Sequence, residues 1–553
     1  MRRHPWLIVA AAVLMLLAAG CTAVVAPSSQ GAAAPGGAAP SAVRVNLNAQ
    51  PSTLDANMVL DSYSATIVEQ MFLGLTNLNG ETGEVEPELA TKWDVSDDGL
   101  TYTFHLRDDV KWSDGNPVTA KDIEYSVRRA LKPETASPYA YALYIIKNAQ
   151  AINQTAIPTD TYDIETLGVK ALDDSTVEFT LEAPAAYFPS IAGLWTVRAL
   201  PSWAIEQYGD AWTDPKNIVV NGPYKLSEWN LDNNIVLVKN PDYVDAADVA
   251  IDRFDVTFIT DQNTAVGLYE QDGLDVVSDG EPLPIEILGR LRSDPKLSKE
   301  LHEGPRAMTA YVGFTMTKPP FDNALVRKAF SAAIDRESLK KIVTDSGTVA
   351  TQFAPKGVFG APDPEVGIGY DLKQAQAWLA EAGYPNGEGF PEVNLRYPAA
   401  STVKAQAEGL QAMWKEGLGV EVRLEPQEFP VFLSSTAPNV PVEEMPEVWL
   451  LGWIADYPDE NNFVYLVLHC KDSENRSRAA CTQADDLAAQ ASQETDPEKR
   501  KELYKQVEQM MIGDEVRIAP FTHDGYTTLT KPFIERGYPT FGPAQWDRWN
   551  INQ

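Results

Sequence analysis

The sequence predicts an α/β fold, and three observations carry that prediction. Val393, Leu395 and Tyr397 alternate as a strand, Ala407, Leu410 and Trp414 fall on one helix face, and Val420, Val422 and Leu424 alternate again. Strand, helix, strand at this spacing is a parallel unit. The stretch Val448–Asn461, VWLLGWIADYPDEN, opens as an uninterrupted apolar run, as a strand buried on both faces does. It is expected to break at Gly452 and to present Trp453, Asp456 and Tyr457 at the carboxyl edge of the sheet, where open α/β folds place their ligands. Finally, 553 residues that are 44% hydrophobic and 22% charged supply two or three domains.

Charge excludes one class of partner. Asp and Glu number 78 against 45 Lys and Arg, a net charge of −33, which repels nucleic acid and anionic lipid. Thirteen Trp and 21 Tyr provide rigid amphipathic surfaces for core and pocket alike.

At the amino end, Arg2 and Arg3 precede a 14-residue apolar run, Trp6–Ala19, followed by Gly20-Cys21. The run is short for a membrane span and has the charge and small-residue flanks of a signal peptide. Leu17–Cys21, LAAGC, resembles a bacterial lipobox. That implies cleavage after residue 20, lipidation of Cys21 and attachment at the outer face of the cytoplasmic membrane. Thr22–Ser41 is rich in Ala, Gly, Pro and Ser and reads as a flexible tether. Cys470 and Cys481 then remain as an even pair in an exported chain. They are either a disulfide, closing a loop of about 12 residues and stabilising by roughly 3 kcal/mol, or two free thiols. His469 is the only His near them, so no metal is expected.

Taken in order, Val43–Leu47 alternates as a half-buried strand, and Ala65–Leu73 places Ile67, Val68, Met71 and Phe72 on one side of a helix. Asp98-Gly99 is a turn before the alternating strand Leu100–Leu106. Asp114-Gly115 is another turn, before a helix from Thr119 through Leu131. Asp322 is expected to cap a helix carrying Leu325, Ala329 and Ala333, and Asp335 to begin the next. Asp371 caps Leu372–Ala382, which Gly383 stops.

Leu89–Leu131, LATKWDVSDDGLTYTFHLRDDVKWSDGNPVTAKDIEYSVRRAL, resembles the signature of the family 5 solute-binding proteins, extracellular receptors of oligopeptide and dipeptide ABC importers. The likeness continues through TASPYA (Thr135–Ala140), NIVVNGPYKLSEW (Asn217–Trp229), FDNALVRKAFSAAIDRESL (Phe321–Leu339) and YDLKQAQAWLAEAGYPNGEGFP (Tyr370–Pro391). The resemblance implies a two-lobed periplasmic-binding-protein fold of the class with an extra domain, its mixed sheets flanked by helices. Domain I would comprise 42–73, 192–304 and 525–553, domain II an insertion at 74–191, and domain III residues 305–524. A hinge would lie where the chain crosses near Pro305 and His523–Asp524. The partners implied are a peptide ligand and permease subunits, with the receptor a monomer.

The same resemblance assigns Asp456, within Gly452–Tyr457 (GWIADY), as the carboxylate that holds a ligand ammonium. Trp453 would pack beside the ligand backbone, Tyr139 would face the ligand, and the Ser62 backbone would run alongside it. Asp456 also suits a helix N-cap before Pro458–Val464. The positions where relatives meet the ligand carboxylate are filled by Val403, Thr436 and Leu450, beside a Pro-rich insertion at Ala437–Pro446; Lys404 or Arg396 would have to substitute. Because these positions lack cations, an amine-bearing ligand without a carboxylate is an alternative, and so is an oligosaccharide stacked on Trp453.

No phosphate-cradling GxxxxGK[ST], HExxH or GxSxG motif is present, and no cofactor is implied. Acid pairs such as Asp97-Asp98 are solvated turns in a chain this acidic. A non-enzymatic binding protein is therefore the reading. The competing classes are a secreted hydrolase, which would need facing carboxylates across a groove, and a surface adhesin that kept the fold.

Overall fold

Two long strands, Leu301–Phe314 and Ile518–Thr530, form the spine of the molecule. The computed structural model describes residues 41–157, 160–278, 282–343, 346–471 and 475–552. The expected signal peptide, Cys21 and the tether up to Pro40 lie outside the described residues. None of the described helices is long and apolar enough to cross a membrane.

The spine strands pair antiparallel and belong to an 11-stranded sheet. On one side of the spine lies Val448–Ile454, antiparallel to Leu301–Phe314, then Val393–Pro398 and Val422–Gln427, both parallel to their neighbours. The helix Ser401–Leu418 joins the last two, burying Ala407, Leu410 and Trp414, and ends on Gly419 at φ +73°. This is the parallel unit expected from the sequence. On the other side follow Val276–Val277, Ala42–Asn46, Arg253–Thr257, Asn234–Lys239 and Tyr224–Asn230. A separate antiparallel sheet orders Ala90–Val95, Thr101–Leu106, Thr176–Thr180 and Val169–Asp173. Ala120–Leu131 packs against it behind a capping box of Thr119 and Asp122.

The molecule thus has two lobes joined by the spine. Between Pro305↔Gly525 and Met308↔Asp524 the register shifts, leaving Arg306 and Ala307 as a bulge. A bulge interrupts pairing and re-aims side chains, and Pro305 has no N–H to offer the ladder. Pro305 and His523–Asp524 lie at this interruption.

Several local expectations need correction. Gly452 does not end its strand, which continues to Ile454. Glycine suits the position because a Cβ there would lie 2.3 Å from Met308 Cε on the neighbouring strand. The helix placed at Ala65–Leu73 runs Ser62–Met71, because the Asp61 side chain accepts the Ser64 N–H and starts it earlier. Asn323, not Asp322, caps Ala324–Ala332 by accepting the Leu325 N–H. The first strand alternates as expected, with Val43 and Val45 buried and Arg44 half-exposed, but Asn46 departs from the pattern: it is fully covered and its side chain bonds the Ile259 backbone.

Candidate ligand-binding site

A cavity of about 180 Å³ lies between the lobes, and both supply its walls. Strand Val448–Ile454 delivers the second lobe's part. Its segment Leu451–Ile454 is half-buried, and Ala455 is pinned when its N–H donates to Ala307 O (2.7 Å). The next residue, Asp456, lies on the cavity wall with Trp453.

Asn462 organises this corner. Its Oδ1 accepts from Trp453 Nε1 (2.9 Å) and from the Asp456 N–H (3.1 Å), while its Nδ2 donates to Asp456 Oδ2 (3.0 Å). The same Oδ2 accepts the hydroxyl of Tyr139 from the first lobe. Burial, reinforced by the Asp456 charge, raises the Tyr139 pKa well above its ordinary value, so the phenol stays a neutral donor. Ser62 is exposed in the first turn of its helix and lines the cavity. The structure therefore brings Asp456, Trp453, Tyr139 and Ser62 to one cavity. Asp456 is not an N-cap: the helical turn Asn461–Tyr465 follows Glu460, and the Asp459 side chain accepts the Asn461 N–H (3.0 Å).

The floor holds a buried ionic group. The Arg198 guanidinium donates to Phe72 O and lies 3.7 Å from Glu69 and 3.6 Å from Glu88. Burial raises Glu69 despite Arg198, with the Asp456 charge adding to the rise. Burial likewise pushes Glu88 up to about 7 against Arg198.

The cations are not where the sequence led us to look. Arg396 donates to Ser435 O (3.2 Å), and Lys404 lies 3.7 Å from Glu408 in solvent; neither lines the cavity. Val403 and Leu450 pack with the second-lobe core, and Thr436 is fully covered. The guanidinium groups on the wall belong to Arg198, Arg306 and Arg476. Arg306 is carried by the bulge in the spine. Arg476 lies between the two cysteines, and no motif in the sequence marks it.

Cys470 and Cys481 are joined Sγ to Sγ, with Cα atoms 5.0 Å apart. His469, Cys470 and Asp485 bring donor atoms within 4.8 Å of one another. The set does not suit a metal, because Cys470 is disulfide-bonded and Asp485 is held by Arg517 at 2.8 Å.

Comparison with known proteins agrees with this architecture. Residues 84–475 match the model of the bacterial extracellular solute-binding proteins, family 5 Middle. The chain is 32% identical to the oligopeptide-binding protein OppA of Bacillus subtilis, over 87% of each chain. It is also 32% identical to the probable deoxycholate-binding periplasmic protein YgiS of Escherichia coli, over 92% of each. Haemophilus influenzae OppA in complex with the peptide RPPGFSPFR superposes with a TM-score of 0.82 at 28% identity, covering 93% of this chain and 99% of that one. The E. coli murein tripeptide-binding protein MppA, also 28% identical, scores 0.84 in one structure, covering 93% of this chain and 99% of that one. In its unliganded open form it scores 0.67, over 93% and 98%. The chain thus superposes better on the peptide complex than on the open form. The chain belongs to family 5 of the bacterial extracellular solute-binding proteins.

Proposed function

We propose that this protein is a lipid-anchored extracytoplasmic receptor that captures oligopeptides by closing its lobes and delivers them to an ABC permease. The observation that carries the reading is the Asp456 carboxylate, lining the inter-lobe cavity and bonded to Tyr139 of the opposite lobe. A ligand ammonium at about 4 Å from that carboxylate gains about 4 kcal/mol at an effective dielectric near 20, against about 1 in water. Closure supplies the difference by excluding solvent. The domain boundaries at 74, 192, 305 and 525 are part of this reading, the segments 305–524 swinging as one body about the bulge.

Calorimetry with a random peptide pool tests it. Free-amine peptides should bind, and N-acetylation or Asp456→Asn should each weaken binding about 100-fold without further loss when combined. Equal affinity for acetylated peptides sinks the ammonium anchor. Anchoring is tested by detergent-phase partitioning, which Cys21→Ser should abolish.

A second reading has one observation behind it. The cavity wall includes Phe429, Leu433, Leu451, Val467 and Phe541, and YgiS is named as deoxycholate-binding. An amphipathic carboxylate with an apolar body would suit such a wall. Displacement of bound peptide by a bile acid would favour it.

A further inference from the structure

We infer that a second chamber between the lobes, walled by tyrosines, binds a small quaternary ammonium ion and so helps to hold the lobes closed. The inference rests on the lobe-closure reading above but concerns a separate site. The chamber measures about 130 Å³, and no residue lines both it and the ligand cavity. Tyr141, Tyr144 and Tyr187 come from the first lobe, Tyr457 and Tyr465 from the second. Glu182 of the first lobe and Gln493 of the second are exposed and form its mouth.

The charges of the wall decide the sign of the occupant. No Lys, Arg or His is among the lining residues, and Glu182 is the one carboxylate, so an anion would be desolvated without a partner. Burial raises the Tyr187 and Tyr457 phenols well above their ordinary values, which keeps both neutral. Phenol rings offer a negative face and the carboxylate adds a full charge, the combination that attracts a cation. One of these rings already serves a cation on the protein's own account. Arg500 lies 4.9 Å from the Tyr187 centroid, with its charge offset by Asp459 at 2.7 Å, and neither residue lines the chamber.

Hydrogen bonding narrows the class further. Tyr457 donates its hydroxyl to Asn461 Oδ1 (2.7 Å), Asn461 Nδ2 donates to Ser492 Oγ (2.7 Å), and Ser492 donates to Ala488 O (2.8 Å). Tyr144 donates to Asn153 Oδ1 (2.8 Å), and Glu182 accepts the Asn148 N–H (2.6 Å). These polar groups are satisfied within the protein. A sugar or a primary amine brings O–H or N–H groups that would have to break such bonds to find partners. A quaternary ammonium brings charge and methyl groups and asks for no hydrogen bond. Because both lobes build the wall, the ion binds the closed form better than an open one, and by linkage it retards release of a ligand from the main cavity.

The test uses tetramethylammonium chloride and the purified full chain. Calorimetry should show saturable binding with a dissociation constant of about 1 mM, tighter when tri- to pentapeptides of random sequence are present. Stopped-flow release of bound peptide should slow about ten-fold at saturation, while sodium chloride at equal ionic strength and tert-butanol, a neutral analogue of the same size, should change nothing. Tyr144→Leu removes one ring and Glu182→Gln the charge. Each should weaken tetramethylammonium binding about three-fold or more with peptide affinity unchanged, which also shows that the variants are folded. Absence of saturable binding overturns the inference, as does an equal effect of tert-butanol or wild-type affinity in both variants. Competition between the ion and peptide places the ion at Asp456 and overturns it too. An unchanged release rate overturns the link to closure. If no peptide binds but tetramethylammonium does, and both variants weaken it, the peptide reading falls and the chamber stands.

Discussion

Tyr187 of the first lobe lies flat on Tyr457 of the second, their rings 5.8 Å apart and 1° from parallel. Arg500 sits over the same Tyr187 ring at 4.9 Å and is ion-paired with Asp459 at 2.7 Å. Tyr457 consequently belongs to the first lobe's hydrophobic cluster although it follows the second lobe's strand. These contacts join the lobes outside the cavity cluster formed by Asp456, Trp453, Tyr139 and Ser62. An aromatic pair and a cation–π contact together contribute about 1–3 kcal/mol. Tyr187→Ala should therefore weaken binding of every ligand by about ten-fold or more, mostly through faster dissociation, and leave the amine requirement intact. Stopped-flow release measures this. An unchanged off-rate would mean that closure is held by the ligand alone.

Asn462 is a positioning residue, since one amide holds both Trp453 and Asp456. Asn462→Asp replaces the N–H donor facing Asp456 with a second carboxylate. Affinity for a free-amine peptide should fall about 10- to 100-fold at pH 7. The loss should shrink towards pH 4, as one of the two acids takes a proton. A pH-independent loss would indicate that the side chain only packs.

What could be read in advance, and what could not, follows from how local each signal is. Asp371 caps its helix by accepting the Gln374 N–H, and its neighbours alone determine that. The parallel unit around Trp414 was equally legible, because side-chain period reports burial directly. Gly452 was misread. A glycine in a strand signals either an end or a close neighbour, and the neighbour here, Met308, lies far away in sequence. Asp322 and Asn323 are both good caps, and only the backbone geometry chooses between them. Asp456 is placed on the cavity wall by its motif, but the positions of Asn462 and Arg476 follow from contacts with Trp453, Leu433 and Thr436, which no periodicity encodes. The arginines that line the cavity near this end, Arg306 and Arg476, lie on a bulge and on a disulfide-tied segment, which no local pattern marks.

Asp485 and Arg517 form a buried pair behind that segment. Arg517 donates from Nη1 (2.9 Å) and Nη2 (2.8 Å) to the two carboxylate oxygens. Burial pushes Asp485 up, but the Arg517 bonds and charge outweigh it and carry the carboxyl down to about 2. A depressed pKa contributes stability that is complete above the unfolded value and is lost as pH falls through the folded one. Asp485→Asn should cost about 1–3 kcal/mol at pH 7, because the buried Arg517 loses one of its two carboxylates and keeps only Glu515 at 2.7 Å. That difference should narrow between about pH 4 and pH 2 in denaturant melts; a gap constant down to pH 2 would refute the linkage.

The opposite sign operates at Glu460 and Glu508, both fully covered. Glu508 accepts the N–H groups of Phe353 (3.1 Å) and Ala354 (2.7 Å), which suits the ionised member of the pair. Burial first, then the Glu508 charge, raises Glu460 well above the usual carboxyl range, which favours its protonated form. A raised pKa contributes stability that is complete below the unfolded value, about 4.5, and is lost as pH rises towards the folded one. Burial of Glu88, up to about 7, adds loss in the same direction. The protein should therefore be less stable at pH 9 than at pH 5. Glu460→Gln supplies a neutral isostere of the protonated acid. It should match wild type near pH 5 and melt several degrees higher at pH 9, where wild type must either ionise Glu460 or hold its proton against the solvent. Parallel melting curves for the two proteins from pH 5 to pH 9 would show that the pair does not titrate on unfolding.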